Sequence, residues 1–244
     1  MRVSVALVTK DEEKNIRDAL NSVSDAEEIV VVDSFSSDRT VEICREYTSR
    51  IFQHQWQGYA KQKQKAVDYC KGPWVLILDA DERLTPELRN EISRVLEDTD
   101  CNGFYIPRKN FFLGRWIRHS GWWPDHTLRL FRKDKATLED REVHEKVVVE
   151  GRFGYLKAPL EHYTYRTVSD FLRKMDNYST LAAAEIRKRG DRGLFPALTR
   201  PFFTFIKMFI FRLGFLDGAR GLILAVLYSY YTFSKYLKAW EISD

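Results

Sequence analysis

Asp79, Asp81 and Glu82 put three carboxylates into four residues, directly after the apolar run Val75–Leu78. Carboxylates this close repel one another, and the end of a buried strand desolvates them further. Three arrangements relieve that cost: a divalent cation, a proton-transfer site, or a solvated turn. In an extended Asp-x-Asp the two aspartates point to the same side. A divalent ion between them and a ligand diphosphate converts repulsion into coordination, because Mg²⁺ binds through one or two carboxylates plus substrate phosphates. Such an ion stabilises negative charge developing on a departing diphosphate. Asp33 closes a second apolar run, Glu28–Asp33, and an Asp at a strand end can hold ribose hydroxyls or a base edge. Thr9, Lys10 and Glu12 follow a third run, Val3–Val8.

The elements that must position these groups are legible from periodicity. Val3–Val8, Glu28–Asp33 and Trp74–Leu78 read as strands apolar on both faces, with a shorter strand over Ile51–His54. Helices are expected over Glu12–Val23, after Asp38 with Val41 and Cys44 on one face, and over the basic stretch Gly58–Cys70. Thr85 and Pro86 start another helix, with Leu88, Ile92, Val95 and Leu96 inward. Strands alternating with helices imply a mostly parallel sheet flanked by helices. Functional groups in such sheets sit beyond the carboxyl ends of the strands. Thr9-Lys10, Asp33 and Asp79–Glu82 should therefore converge on one edge.

After Cys101 the texture changes. Phe104–Arg108, Thr127–Arg132 and Val143–Glu150 read as strands, joined by the aromatic loop NFFLGRWIRHSGWWPDH. From Ser169 a helix is expected, with Phe171, Leu172, Met175, Tyr178, Ala182 and Ile186 as its stripe. The expected division is 1–165, comprising halves 1–100 and 101–165, followed by a helical, aromatic and basic extension over 166–244.

Composition narrows the function classes. An apolar share of 44% with 14% aromatics supports a real core and excludes general disorder. The net charge is +4, but Arg187–Arg220 carries eight basic residues against Asp191 and Asp217. The remainder is therefore net −2, and the basic C-terminal third is expected to face an anionic surface. Its cations lie among aromatics rather than on a nucleic-acid module, so no nucleic-acid partner is expected. Cys44, Cys70 and Cys101 match no zinc or redox spacing and read as reduced thiols. The N-terminus has no signal-peptide pattern. The apolar stretches Pro201–Phe211 and Leu222–Phe233 fall short of the ~20 residues that a bilayer span requires. Neither a G-x-G-x-x-G after the first strand nor a phosphate-loop motif is present, which removes support for dinucleotide redox chemistry and phosphate-loop hydrolysis.

The motifs VALVTKDEEKNIRDALNSV, EIVVVDSFSSDRT, GYAKQKQKAV and WVLILDADERL occur in this order over the first hundred residues. Together they resemble glycosyltransferase family 2, the inverting nucleotide-sugar transferases of GT-A fold. GWWPDHTLRLFRKDKATLEDREVHEKVVVEG, LEHYTY and GFLDGARG look like a narrower subgroup, the bacterial lipopolysaccharide inner-core β-glucosyltransferases. The resemblance implies a GT-A fold, a UDP-glucose donor, Mg²⁺ or Mn²⁺, and a lipid-linked oligosaccharide acceptor. It places Thr9, Glu12 and Asp33 at the nucleoside, Gln62 and Lys63 at the nucleotide, Asp79 at the ribose and metal, and Asp81 as the direct metal ligand. Gln64 stands where an Asn is commoner.

Inverting transfer needs a base that takes the acceptor hydroxyl proton. The candidates are Glu145, His144 and Asp125, and the resemblance favours Glu145. As strand neighbours, His144 and Glu145 point to opposite faces. Glu139, Asp140 and Glu142 are rivals nearby. Trp122, Trp123 and His126 suit an acceptor platform, with rings against sugar C–H faces. The C-terminal aromatics and cations read as an interfacial membrane element, with a helical cap or homo-oligomer interface as the alternative. The resulting expectation is a cytoplasmic enzyme peripheral to the inner membrane. A polyprenyl-phosphate acceptor is the nearest rival, and a non-catalytic membrane-binding module is the rival from another class.

Overall fold

Strands with no polar face can only sit inside a sheet covered on both sides, and the apolar runs of the N-terminal half do so. The computed structural model describes residues 1–139, 146–190 and 193–241. The first elements are β1 (Ser4–Thr9), α1 (Ile16–Asn21), β2 (Glu28–Asp33), α2 (Thr40–Arg45), β3 (Ile51–Gln53), α3 (Tyr59–Tyr69) and β4 (Trp74–Asp79). They build a parallel block in the order β3-β2-β1-β4. Alternate residues serve opposite layers: Val5, Leu7, Val31 and Leu78 join one core, while Ala6, Val30, Val32 and Ile77 join the other. In register, Thr9 pairs with Asp33 and Val8 with Asp79, so the three polar strand ends lie side by side as expected.

The chain continues through β5 (Glu82–Leu84), α4 (Pro86–Val95), β6 (Gly103–Phe112), β7 (Arg115–Trp116), β8 (Asp125–Arg132), β9 (Ala136–Glu139) and β10 (Lys146–Val149). Then come β11 (Phe153–Tyr155), β12 (Leu160–Tyr165), α5 (Val168–Lys188), α6 (Leu194–Ile206) and α7 (Ala219–Glu241). The sheet runs β3-β2-β1-β4-β8-β6-β12-β5, and its direction reverses where β8 pairs antiparallel with β4. β5 pairs antiparallel with β12, setting Glu82 opposite His162.

Several local readings shift. Helix α1 is shorter than Glu12–Val23, because Glu12–Asn15 form a turn pinned to the loop after β2. Helix α2 buries Thr40, Ile43 and Cys44 rather than Val41. Helix α5 buries Phe171, Met175, Ser179 and Ala183, a strict four-residue spacing, and leaves Leu172 exposed. Thr85 caps α4 through Leu88 N–H at 3.2 Å, as its position before Pro86 predicts. Cys44 and Cys70 are free and buried, and burial pushes both thiols up to about 12. They stay protonated at neutral pH and act as small apolar residues.

The chain divides into two compact units. One comprises Met1–Arg108 with His126–His162, the other Lys109–Asp125 with Tyr163–Asp244. In the second, Phe112, Ile117, Tyr165, Phe171, Met208 and Leu224 form the core. Gly221 lets α7 approach closely: a Cβ there would lie 1.9 Å from the Gly214 carbonyl oxygen. Helix α6 runs on through a wider π turn, Lys207–Phe211. Leu194–Phe211 thus makes 18 continuous helical residues, 17% buried, long and apolar enough to cross a membrane by length and composition. The apolar stretch read over Pro201–Phe211 is thus part of a longer helix, with Lys207 inside it.

Candidate functional site

The first wall of the site is made by two loops that follow parallel strands and latch onto each other. Asp11 has φ +52° and accepts from Ser37 N–H at 2.7 Å, while its own N–H donates to Ser36 Oγ at 2.8 Å. Glu12 N–H donates to Thr40 Oγ1, and the Glu12 carboxylate accepts from Asn15 Nδ2 at 2.7 Å. These bonds hold the β1 and β2 exits together. Asp33 is fully buried: Oδ2 accepts from Ser36 N–H and Gln53 Nε2, both at 3.0 Å, and Oδ1 from Ser36 Oγ at 2.5 Å. Phe35, two residues on, is exposed at φ +57°, a conformation that costs energy for an aromatic residue.

Gln62 closes this wall from α3. Its Nε2 donates to the Gln55 carbonyl at 2.6 Å and to Ser34 Oγ at 3.2 Å, while Ser34 N–H donates to the Thr9 carbonyl. Gln62 Oε1 and Thr9 Oγ1 are both buried without a protein partner. Buried polar atoms are nearly always satisfied, so two orphans on neighbouring elements mark a place for a polar ligand edge. Gln64, one position beyond Lys63, is spent on packing: Oε1 accepts from Leu138 N–H on β9.

The second wall is the acidic turn after β4, and its three carboxylates have separate partners. Asp79 Oδ1 pairs with Lys63 Nζ at 2.7 Å and Asp79 Oδ2 with Arg129 Nη2 at 2.5 Å. Glu82 is fully buried and accepts from the same Arg129 Nη2 at 2.6 Å and from Arg108 Nη1 at 3.4 Å. It also accepts from Asp79 N–H at 3.1 Å, which closes the turn. Burial alone would push the Asp79 carboxyl up. The charges of Arg129 and Lys63 outweigh this and hold it well below the usual carboxylate range. Burial likewise disfavours the Arg129 cation, but Asp79 and Glu82 raise its pKa. Asp81 points elsewhere: its Oδ2 lies 3.3 Å from His162 Nε2 on β12.

The strand ends Thr9, Asp33 and Asp79–Glu82 meet at one edge of the sheet as the parallel topology predicts, and Gln62 and Lys63 of α3 reach that edge through Ser34 and Asp79. Arg129 and His162, which complete the acidic turn, carry no motif that singles them out in the sequence. Glu82 is the most deeply buried acid of the turn. Among the described residues no cluster of three or more His, Cys, Asp or Glu is placed to hold a metal. The Asp81–His162 pair offers one carboxylate oxygen and one imidazole nitrogen, a mixed set that could hold a divalent ion only with further ligands from a diphosphate or water. Both Asp79 oxygens already meet cations, so its position suits charge-clamping better than coordination.

The other candidates are placed as follows. His144 and Glu145, with Asp140 and Glu142, lie outside the described residues. His126 is exposed and meets Tyr155 edge-on at 5.4 Å. In the second unit, Trp122 packs into the core against Phe112, Tyr165 and Tyr228. Trp123 meets Trp116 edge-on at 5.3 Å, and Asp125 accepts from Asn110 Nδ2 at 3.0 Å.

Comparison with known proteins bears on both fold and activity. Residues 4–164 match Glycosyl transferase family 2. The chain is similar to the lipopolysaccharide core biosynthesis glycosyltransferase LpsC of Rhizobium meliloti, 30% identical over 250 residues, 98% of this chain and 92% of LpsC. An uncharacterized glycosyltransferase of Rickettsia typhi is 28% identical over 256 residues, 99% of this chain and 88% of that protein. Among solved structures, S. aureus TarS 1-349 in complex with UDP-GlcNAc superposes with a TM-score of 0.52 at 18% identity, over 99% of this chain and 91% of that one. That likeness concerns the fold, which is GT-A.

The clamp makes a prediction about stability. Glu82→Ala leaves the buried Arg129 without one of its two counter-ions, a loss that typically costs about 3–5 kcal/mol. Asp81→Ala, at a partly exposed position, should cost about 1 kcal/mol or less. Urea unfolding of the two variants checks the ranking, and equal losses would remove the structural role assigned to Glu82.

Proposed function

This chain belongs to glycosyl transferase family 2, and on that premise we propose that it is a metal-dependent, inverting hexosyltransferase. The donor is a nucleotide sugar, UDP-glucose in our reading, and the acceptor is a lipopolysaccharide inner-core heptose or a related lipid-linked sugar. One observation carries the reading: the register that sets Thr9 against Asp33 and Val8 against Asp79. It collects a nucleoside wall and an acidic wall at the carboxyl ends of adjacent parallel strands, where such sheets bind ligands. Similarity to LpsC supports the acceptor class.

In this reading Asp33, Thr9 and Gln62 receive the nucleoside. The two orphan oxygens, Thr9 Oγ1 and Gln62 Oε1, supply hydrogen-bond sites for its polar edge. Asp79 lies toward the ribose and holds Lys63 and Arg129 in place. Asp81 and His162 would hold Mg²⁺ or Mn²⁺, which when bound offsets negative charge on the leaving diphosphate. Glu145 serves as the base, ahead of His144 and Asp125. It takes the proton of the acceptor hydroxyl as that oxygen bonds to the anomeric carbon and the bond to the diphosphate breaks, inverting the centre. His126 contributes to acceptor stacking.

The membrane-facing part of the proposal rests on the second unit. Phe195, Leu198, Phe202 and Phe203 on α6, and Phe211 after it, are all exposed, with Arg200, Lys207 and Arg212 among them. Apolar rings interleaved with cations suit the headgroup boundary of an anionic leaflet. We place the enzyme peripherally on the cytoplasmic face of the inner membrane.

Two measurements test this. In a thermal-shift panel of UDP-, GDP-, ADP- and CMP-sugars with and without Mg²⁺ or Mn²⁺, UDP-glucose with metal should raise the Tm by several degrees. No shift with any donor would contradict the nucleotide-sugar reading. In flotation with anionic liposomes, binding should fall steeply as salt rises past ~0.15 M, and failure to bind at low salt would remove the membrane assignment.

A further inference from the structure

Strand β11 is short, yet it turns two rings outward: Phe153 is 50% exposed and Tyr155 60%. Its backbone leaves them little freedom. Asn102 N–H donates to the Arg152 carbonyl at 2.6 Å, and Asn102 Nδ2 to the Glu150 carbonyl at 2.7 Å. Leu156 N–H donates to the Tyr105 carbonyl at 2.9 Å. Gly151 takes φ +91° beside Asn102, and a Cβ on Gly154 would lie 2.8 Å from the Phe104 ring. Two glycines therefore let the strand settle closely on β6. A strand pinned this tightly holds its rings in a fixed display.

Parallel pairing sets Tyr155 opposite Tyr105 and Phe153 opposite Gly103, so the rings share one face of the sheet. Tyr155 stacks on Tyr105 at 5.0 Å and 15°, and Phe153 meets Tyr105 edge-on at 5.4 Å. The exposed His126 meets Tyr155 edge-on, also at 5.4 Å. Four rings thus form one continuous patch. It leads inward, because Tyr105 also lines a cavity of about 170 Å³ with Thr127, Lys63 and Arg129. Those two cations hold Asp79, so the patch runs on into the acidic wall.

Exposed apolar surface of this kind marks a binding partner. Its chemistry is not that of a contact with an anionic leaflet. Three of the four rings carry a hydroxyl or an imidazole, and the flanking Arg152 is ion-paired to Asp100. Rigid aromatic rings present a flat, electron-rich face at low entropic cost. That face suits the C–H side of a sugar, while the tyrosine hydroxyls and the imidazole can meet its hydroxyl groups. We propose that Tyr155, Phe153 and Tyr105 extend from His126 as a platform for sugar rings of the acceptor other than the one that reacts. The proposal rests on the reading of the chain as a glycosyltransferase with a saccharide acceptor.

The test is calorimetric titration of the full chain with deacylated lipopolysaccharide core oligosaccharide, maltoheptaose and chitotetraose. Wild type is compared with Tyr155→Ala, Phe153→Ala and Tyr155→Phe, with UDP as the control ligand. The core oligosaccharide should bind Tyr155→Ala about tenfold more weakly than wild type, the scale of one lost ring contact. Phe153→Ala should lose about threefold, and Tyr155→Phe should stay within about twofold, because stacking needs the ring and not its hydroxyl. UDP should bind every variant as it binds wild type. If maltoheptaose or chitotetraose binds instead, with the same ranking, the platform stands and the heptose acceptor fails. If the core oligosaccharide binds both alanine variants as tightly as wild type, the platform is overturned and the acceptor reading stands. Absence of saccharide binding to wild type overturns the platform too, with UDP binding preserving the donor reading. Liposome flotation lost in Tyr155→Ala, with saccharide affinity unchanged, would give the rings to the membrane and overturn it.

Discussion

A guanidinium inside the protein needs counter-charge, and Arg129 finds it in two carboxylates three residues apart. The desolvation of each buried ion costs several kcal/mol, and only close geometry with further hydrogen bonds offsets it. Here the offset comes from Arg129 Nη2 on both Asp79 and Glu82, Lys63 on Asp79, and the Asp79 N–H on Glu82. These contacts join β4, β5, β8 and α3. The direction in which Asp81 leaves the turn therefore depends on charges that are not its own. With Asp79 and Glu82 drawn inward, Asp81 is left to meet His162.

The Asp-x-Asp pair is thus divided by environment rather than by chemistry. One aspartate is a fixed counter-ion whose protonation the surrounding cations suppress. The other sits with an imidazole, at 3.3 Å from His162 Nε2. The wall between the β1 and β2 exits follows a similar logic: Asp33 spends its oxygens on Ser36 and Gln53, while Thr9 Oγ1 and Gln62 Oε1 stay unspent.

Much of this was legible in the sequence because it is local. Glu28–Asp33 and Trp74–Asp79 announce themselves by unbroken apolar runs, and Thr85-Pro86 by its capping chemistry. The polar strand ends then follow from the parallel topology alone. What was not legible depends on partners distant in the chain. Glu82 and Arg129 are separated by 47 residues, and β5 is a three-residue strand defined by its pairing with β12. Gln62 and Lys63 look like polar positions on a basic helix, yet both are buried, because the polar groups they serve lie in the loops after β2 and β3 and on β4. In the C-terminal helices the stripe of α5 was read within about one residue of its true face, since Leu172 and Phe171 both satisfy an apolar pattern and only packing separates them.

The central claim is that the two aspartates do different work, and metal binding separates them directly. Electron paramagnetic resonance titration of Mn²⁺, with UDP present, should show Asp81→Asn binding the ion at least about tenfold more weakly than wild type, the cost of one charged ligand contact. Asp79→Asn should bind it within about twofold of wild type, since Asp79 contributes by anchoring Lys63 and Arg129. The reverse result, with Mn²⁺ lost in Asp79→Asn and retained in Asp81→Asn, would contradict the account.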